Sequence, residues 1–380
     1  SPWMSRPMTA ELGLPLPERR VGLSAHDFVQ GLNARAVMLT RAERVNGTPT
    51  VPCRWLRRID NLLARHGRAA SLARRTPWLD WVNALDRPAV TVNVTAPRPT
   101  PPTEARPTQL SVTQVESLIR DPYAIYARHI LGLRPLDPID ADPGAADRGT
   151  IIHGVLDEFI TAHPKNLPPN AEQALLDIGR QHFESHMSRP GIRAFWWPRF
   201  QRIAAWFIDN ERRRRDAGWR TVATEADGVR IFDGLQTSFT LKARADRIDA
   251  RPDVGLAIID YKTGQLPTDK QVTAGLTPQL PLEAAIANSG GFAVARGYMV
   301  ANLTYIRLSG GRYPGQERVV NLDLETTVAD AVKGLTRLIH KYEDPNTPYL
   351  SQPRPMFAGR FGTYDHLARL REWYGRRGKS

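Results

Sequence analysis

The segment KARADRIDARPDVGLAIIDYKTG, residues 242–264, constrains the fold more than any other stretch of the chain. Two runs of strand-forming residues flank RPDVG (251–255), a composition suited to a tight turn. A connection this short makes the two runs antiparallel neighbours. The second run passes through the apolar Leu256–Ile259 before it reaches Asp260-Tyr261-Lys262. A continuous apolar run of this kind belongs in a sheet that is covered on both faces. With TVATEADGVRIF (221–232) in front of it, the segment predicts a meander of strands at 221–232, 237–251 and 255–264.

Helical spacing surrounds the meander. Ser111 and Thr113 are candidate caps for a helix that runs to Arg120 and breaks at Asp121-Pro122, followed by a short loop with Pro135, Pro138 and Pro143. Residues 147–163 place Ile151, Ile152, Val155, Leu156 and Phe159 on one side of a helix. Further helices are predicted at 171–187, 198–219, 277–288, 327–344 and 363–375, and a further strand at 298–310. Helices, a strand meander, a helix, a strand and more helices make a mixed α/β domain around a small sheet.

The domain boundary is predicted at APRPTPPTEARPT (96–108), which has five prolines in thirteen residues. Such a stretch is stiff and extended and reads as a linker. The expected organisation is an N-terminal unit at 1–95, a Pro-rich linker at 96–109 and the main domain at 110–380. In the N-terminal unit, 55–67 has helical spacing with Leu56, Ile59, Leu62 and Leu63 on one side, and 88–94 alternates like a strand. The unit reads as the end of a larger domain.

Several classes are excluded. A chain that is 41% hydrophobic and 24% charged is globular rather than disordered or collagenous. The single cysteine, Cys53, forms no internal disulfide framework and supplies no four-thiolate cluster or Cys-based zinc site. No apolar run reaches the roughly 18 residues of a membrane span. The start SPWMSRPM lacks the pattern of a signal peptide and does not resemble a natural initiation site, so the chain reads as a piece of a longer cytoplasmic protein. No G-x-x-x-x-G-K-[ST] loop occurs, so no nucleotide is expected as cofactor and no ATP hydrolysis.

The chemistry concentrates on the predicted hairpin. Asp246 lies late in its first strand and Asp260 ends the second, so the two carboxylates approach each other. Close carboxylates need a cation or protons to coexist. Asp260 and Lys262 share one face of the strand and Tyr261 takes the other. An acid for a hard cation and an ammonium two residues on can hold a water or the charge growing on a phosphate. Each motif has a plainer reading. Asp before Lys-Thr-Gly is ordinary turn chemistry, and Asp-Arg-Ile-Asp is equally a salt-bridged strand end.

GTIIH (149–153), ADRID (245–249) and DYKTG (260–264), in this order, resemble the RecB-type branch of the PD-(D/E)XK nucleases from about Leu110 onward. The resemblance implies a restriction-endonuclease-like mixed central sheet flanked by helices. It implies that His153, Asp246, Asp260 and the Tyr261 carbonyl are metal ligands, with Asp246, Asp260, Lys262 and Gln279 carrying catalysis. Glu225 matches a family acid less firmly and also reads as a strand-edge carboxylate. The family's Gln-x-x-x-Tyr motif reads Gln279-Leu-Pro-Leu-Glu283 here, with the Tyr replaced. Gln279 is expected to touch a phosphate or a metal-bound water; its plainer role is a helix cap.

Residues 18–63 and 364–374 are also similar to the AddB subunits of bacterial helicase–nucleases, with 39–42 as a remnant of a motor-like fold. That likeness implies an AddA-like partner subunit and a role in double-strand break repair. Where some of those subunits carry a Cys-Pro pair of an iron–sulfur cluster, this chain has Asp121-Pro122, so no cluster is expected. The implied cofactor is Mg2+, with Mn2+ able to substitute.

The excess of 52 Lys+Arg over 39 Asp+Glu, +13, fits a DNA partner, or equally a solvated Arg-rich surface. Arg148 and Arg212–Arg215 are candidate DNA contacts; the four-arginine run also complements a helix dipole. Phe195-Trp196-Trp197 and Trp206 either stack on bases or fill a core. The expected function is a Mg2+-dependent DNA exonuclease or endonuclease domain. The alternatives are a non-cleaving DNA-binding scaffold and a hydrolase of small phosphoesters.

Overall fold

The computed structural model describes residues 4–72, 77–90, 95–136, 139, 142–186, 189–233, 236–295, 297–355 and 362–374. The chain divides into two compact units, Ser1–Asn93 and Val94–Ser380.

The first unit holds α1 (Arg6–Glu11), α2 (Pro17–Leu32), α3 (Arg54–Arg65), α4 (Trp78–Leu85) and a two-residue hairpin, β1 (Arg44–Val45) with β2 (Thr48–Pro49). Asn46 and Gly47 turn that hairpin with φ of 49° and 79°, the left-handed pair that favours Asn-Gly. The helix predicted at 55–67 is present as α3, but none of its residues is buried, and Leu62 is 58% exposed. Of the strand predicted at 88–94, residues 91–94 lie outside the described residues and 88–90 are irregular.

The second unit is built on a six-stranded mixed sheet. Its strands are β3 (Gln109–Ser111), β4 (Arg220–Phe232), β5 (Phe239–Arg251), β6 (Gly255–Lys262), β7 (Val300–Leu308) and β8 (Gly315–Val319). β5 pairs β4 along one edge; its other edge pairs β3 at Thr240–Lys242 and β6 at Arg247–Arg251. β6 then pairs β7 in parallel, and β7 pairs β8 antiparallel. The β5–β6 turn needs Gly255: its φ is +126°, and a Cβ there would meet the Met299 carbonyl oxygen at 2.5 Å.

Helices cover both faces of the sheet. On one face lie α5 (Val112–Arg120), α11 (Gln279–Asn288) and α12 (Leu324–Glu343), packed on Leu241, Ile248, Leu256 and Ile258. On the other lie α7 (Ala145–Ala162), α8 (Ala171–Phe183) and α9 (Trp197–Asp216), packed on Ile259, Tyr261, Ile306 and Leu308. The alternation of β6 between these two cores explains its unbroken apolar run. Short helices α6 (Pro122–Ile125), α10 (Asp269–Thr273) and α13 (Leu370–Tyr374) complete the unit.

Ser111 caps α5 in a full capping box with Gln114, and α5 ends at Arg120 as its sequence indicates. The chain does not then loop. It re-enters helix at Pro122 and continues through a π-helical turn to Ile130, because proline suits the first helical turn. Asp121 accepts the Gln352 backbone N–H at 3.2 Å, and Tyr123 packs in a small cluster with Tyr364, Ala368 and Leu370. The helix predicted at 363–375 forms only at α13.

The Pro-rich stretch carries a short 3-10 turn at Thr103–Ala105 and is not a free linker. Arg106 is 7% exposed and donates to the carbonyls of Pro101, Tyr342, Asp344 and Pro345 at 2.8–3.0 Å. The Tyr349 N–H donates to the Pro99 carbonyl. One buried guanidinium, with four carbonyls to satisfy its donors, straps this stretch onto the second unit.

Candidate active site

Two strands of the sheet, β4 and β5, and one helix from each face, α7 and α11, meet around β6. Tyr261 donates its backbone N–H to Asp246 Oδ2 at 2.7 Å, so the β5 carboxylate is seated against β6. His153 reaches over from α7, its Nδ1 3.6 Å from the same oxygen and its ring edge-on to Tyr261 at 5.8 Å. Glu225 comes from β4 at a left-handed φ of +45°. That conformation costs a non-glycine residue about 1–3 kcal/mol and recurs at functional sites. One ligand atom each from His153, Glu225 and Asp246 lies within 4.8 Å of the others. Arg244 pairs Glu225 at 2.7 Å. These residues border an open cleft of ≈600 Å³ that also takes in Lys262.

Asp260 lies outside that group of three and faces α11. Lys262 Nζ donates to Asp260 Oδ1 at 2.8 Å and to Gln279 Oε1 at 3.0 Å, and Gln279 Nε2 donates to Asp260 Oδ1 at 2.7 Å. Gln279 Nε2 also reaches Glu283 Oε1 at 3.2 Å. Asp260 and Lys262 thus share one face of β6, while Tyr261 points into the opposite core beside Phe207. Gln279 opens α11 but does not cap it; its amide holds the lysine and the aspartate together.

The electrostatics follow from burial and crowding. Burial raises the Asp260 carboxyl to about 6; Lys262 opposes the rise and Asp246 adds to it. Burial also drives Glu283 well above its ordinary value, with Asp260 and Asp246 adding to the effect. Burial works against charge on His153 and Lys262, but their carboxylate neighbours win and hold both above their ordinary values. Glu225 is raised by burial and by Asp246, against Arg244.

The donor set suits a hard divalent cation. Two carboxylates and an imidazole converge, and, outside that group, the buried Asp260 Oδ2 has no hydrogen-bond partner among the described residues. An unpaired buried carboxylate oxygen is costly, and a cation or its hydration shell would satisfy it.

The arginine run divides. Arg214 and Arg215 are buried at 6% and 8% exposure and do not present themselves to DNA. Arg214 binds Asp249 Oδ2 at 2.8 Å and also Glu317; Arg215 binds Glu211 Oε1 at 2.7 Å and the His163 carbonyl. Arg247, 1% exposed, bridges Glu211 and Asp249 with bonds of 2.6–3.0 Å. The reason is helical periodicity: position 214 faces β5, where Asp249 waits, and position 215 turns toward Glu211 and the end of α7 at His163, while Arg212 and Arg213 face solvent and bond Asp209 and Asn210. Asp-Arg-Ile-Asp therefore splits in two, with Asp246 in the site and Arg247 and Asp249 in a buried ion network. Arg148 is half-buried on α7, and burial and the Arg199 charge hold its guanidinium below its usual range. Phe195 is 66% exposed, while Trp196, Trp197 and Trp206 pack on the second core.

Sequence reading did not anticipate that Arg244 would pair Glu225, or that Tyr305 would lie beside Asp260 in the β6–β7 ladder. The first was open to the alternation of β4 and β5. The second depends on a parallel pairing that no local signal encodes.

An uncharacterized protein of Rickettsia bellii (strain RML369-C) is 31% identical over 251 residues, covering 62% of this chain and 30% of that protein. A second uncharacterized protein, from Rickettsia conorii (strain ATCC VR-613 / Malish 7), is 28% identical over 298 residues, covering 77% of this chain and 34% of its own length. The chain thus spans about a third of the curated relatives it matches. The crystal structure of SSO0001 aligns with 50% of this chain and 87% of its own at 16% identity and a TM-score of 0.21. The family model for the PD-(D/E)XK nuclease superfamily matches residues 109–352, which contain the whole sheet and every residue of the site. On that match, over well more than half its length, this chain belongs to the PD-(D/E)XK nuclease superfamily.

Proposed function

We propose that this chain is a metal-dependent deoxyribonuclease domain that hydrolyses phosphodiester bonds with Mg2+, or Mn2+ in its place. The observation that carries the reading is the convergence of His153, Glu225 and Asp246 within 4.8 Å beside a lysine bonded to Asp260. His153, Glu225, Asp246 and Asp260 would hold the ion, with the Tyr261 carbonyl as a further ligand. When bound, the cation supplies Lewis-acid charge to the phosphate. The protein's part is positioning. The Tyr261 N–H fixes the Asp246 carboxylate, and Gln279 orients both Asp260 and Lys262. The Lys262 ammonium offers a third donor to an attacking water or a non-bridging phosphate oxygen. Arg148 and the exposed Arg212 and Arg213 would neutralise neighbouring phosphates.

The wider setting is also our reading: a cytoplasmic AddB-like protein working with an AddA-like helicase–nuclease subunit in double-strand break repair. Its support is the likeness at 18–63 and 364–374 together with relatives about three times as long as the matched stretch. Co-purification of the full-length protein with such a subunit is its test.

For the activity, linear single-stranded DNA is incubated with the protein and Mg2+. The wild type cuts, and Lys262→Ala and Asp260→Ala, both folded by circular dichroism, do not. Cleavage surviving either change removes the mechanism. DNA binding without cleavage in Mg2+ or Mn2+ makes the chain a scaffold. Cleavage of small phosphoesters that DNA does not inhibit makes it a hydrolase of another class.

A further inference from the structure

A second cleft, of ≈610 Å³, opens on the far side of Lys262 from the His153 cleft. Lys262 is common to both, and Gln279 and Tyr305 border the second. The volume is in the range of small-ligand sites, roughly 300–1,000 Å³. Its charged side chains are already engaged by other protein groups. Arg120 pairs Glu116 at 2.8 Å and donates to the Leu276 carbonyl, while Asp121 is engaged by the Gln352 N–H. Among the described residues bordering this cleft the cations are Arg120 and Lys262; Lys262, bonded to Asp260 and Gln279, keeps a third donor and is common to the first cleft. The cleft is therefore poorly suited to a phosphate and suited to a neutral, hydrogen-bonding group.

Two hydroxyls there lack a hydrogen-bond partner among the described residues: Thr277 Oγ1, on a residue 6% exposed, and Tyr305 OH, on a residue 1% exposed. The Tyr305 ring is fixed, because it stands opposite Asp260 in the β6–β7 ladder and carries the Arg318 guanidinium 5.6 Å from its centroid. A hydroxyl can donate and accept, and both acceptor and donor edges of a nucleobase suit it. A buried hydroxyl left unpaired is costly, and a ligand group that pairs it regains much of that cost.

We propose that this second cleft is a nucleoside subsite: it takes the base and sugar adjoining the phosphate held at Lys262, with Thr277 and Tyr305 as its specificity-determining hydroxyls. The inference rests on the nuclease reading for its place in the reaction, since a phosphate at Lys262 carries a nucleoside on each side and the His153 cleft is acidic.

The test compares cleavage of single-stranded oligonucleotides that are intact or carry one abasic residue beside the scissile phosphate, on either side in turn. Wild type is expected to lose about tenfold in kcat/KM when the base on one side is removed, in line with one or two lost hydrogen bonds. In Thr277→Val/Tyr305→Phe the intact and abasic substrates are cut alike. Equal cleavage of both substrates by wild type overturns the subsite, and so does a double variant that keeps the tenfold discrimination. A second arm needs no activity: binding of deoxyadenosine to the metal-free protein, followed by calorimetry. Saturable binding that weakens at least tenfold in Thr277→Val upholds the subsite even if the protein cuts no DNA. Absence of binding in wild type overturns it whatever the protein cuts. Should Tyr305→Phe fail to fold, the wild-type abasic comparison and Thr277→Val decide.

Discussion

Asp246 Oδ2 lies 2.7 Å from the Tyr261 backbone nitrogen and 3.6 Å from His153 Nδ1, so one oxygen couples β5 to β6 and to α7. The same carboxylate is therefore both a strand clasp and a metal ligand in our reading. Asp246→Asn separates the two roles. An amide oxygen still accepts the Tyr261 N–H, but the charge is gone. The variant is expected to fold with a melting temperature close to wild type in EDTA. In wild type Mn2+ raises the melting temperature, because an ion that binds only the native state stabilises it by mass action. In Asp246→Asn that rise disappears together with DNA cleavage. Thermal melts with and without Mn2+ read both effects, and a full metal-induced shift in the variant removes Asp246 from the ligand set.

Lys262 binds Asp260 and Gln279 at once, which fixes a flexible four-carbon side chain in one place. Lys262→Arg keeps the charge but presents a planar fork to a partner built for a point charge, so it does not rescue. Both Lys262→Ala and Lys262→Arg are expected to lose on the order of 10²–10³ in kcat, the scale for removing a single donor aimed at developing charge. Gln279→Ala leaves both partners of Lys262 less constrained, and its loss should be smaller. Single-turnover cleavage rates rank the three; Gln279→Ala falling below Lys262→Ala would place the amide, not the ammonium, at the reacting atoms.

Glu283 is buried against Gln279, and burial followed by the Asp260 and Asp246 charges raises it well above the ordinary carboxylate range. A raised acid contributes stability below its unfolded value, near 4.3, and loses it as pH climbs through the folded value. Glu283→Gln has the same shape and no proton to lose. It should match wild type in mildly acidic buffer and gain on it as pH rises. Chemical denaturation across that range measures the difference, and a constant offset between the two proteins would mean that Glu283 is charged throughout.

The hairpin was legible because it is local. A turn composition, an apolar run and an acid–x–lysine end lie within 23 residues, and β5, Gly255 and β6 follow from them. The Ser111 cap of α5 and the apolar side of α7 were legible for the same reason. What escaped reading was set by partners distant in sequence. β8 has a half-exposed burial pattern without strong alternation, and its pairing with β7 comes only from the sheet. The Pro-rich stretch resembles a linker until Arg106 finds carbonyls more than 230 residues away. Four consecutive arginines read as surface because charge normally is surface; two are buried only because Glu211, Asp249 and Glu317 sit behind them.

That buried network gives the last prediction, with the sign set by its acids. Burial alone would raise Glu211 and Asp249, but Arg247, joined at Asp249 by Arg214, outweighs it and holds both below their ordinary values. A depressed acid contributes stability that is complete above its unfolded value, about 4.3 for Glu and 3.9 for Asp, and is lost as pH falls through the folded value. Wild type should therefore hold its melting temperature from neutral pH down to about 5 as far as these two groups are concerned, and begin to lose their contribution below about 4. Arg247→Met removes the central cation and leaves two buried carboxylates short of a partner. Breaking a buried pair in this way costs about 3–5 kcal/mol near neutral pH. The slope also reverses, because the stranded acids now rise above their unfolded values and prefer to be protonated. The variant should recover part of its stability as pH drops from 7 toward 5, where wild type gains nothing from these groups. Urea titrations at several pH values measure both curves. Parallel curves, offset by a constant, would show that Arg247 contributes through packing of its side chain and not through its charge.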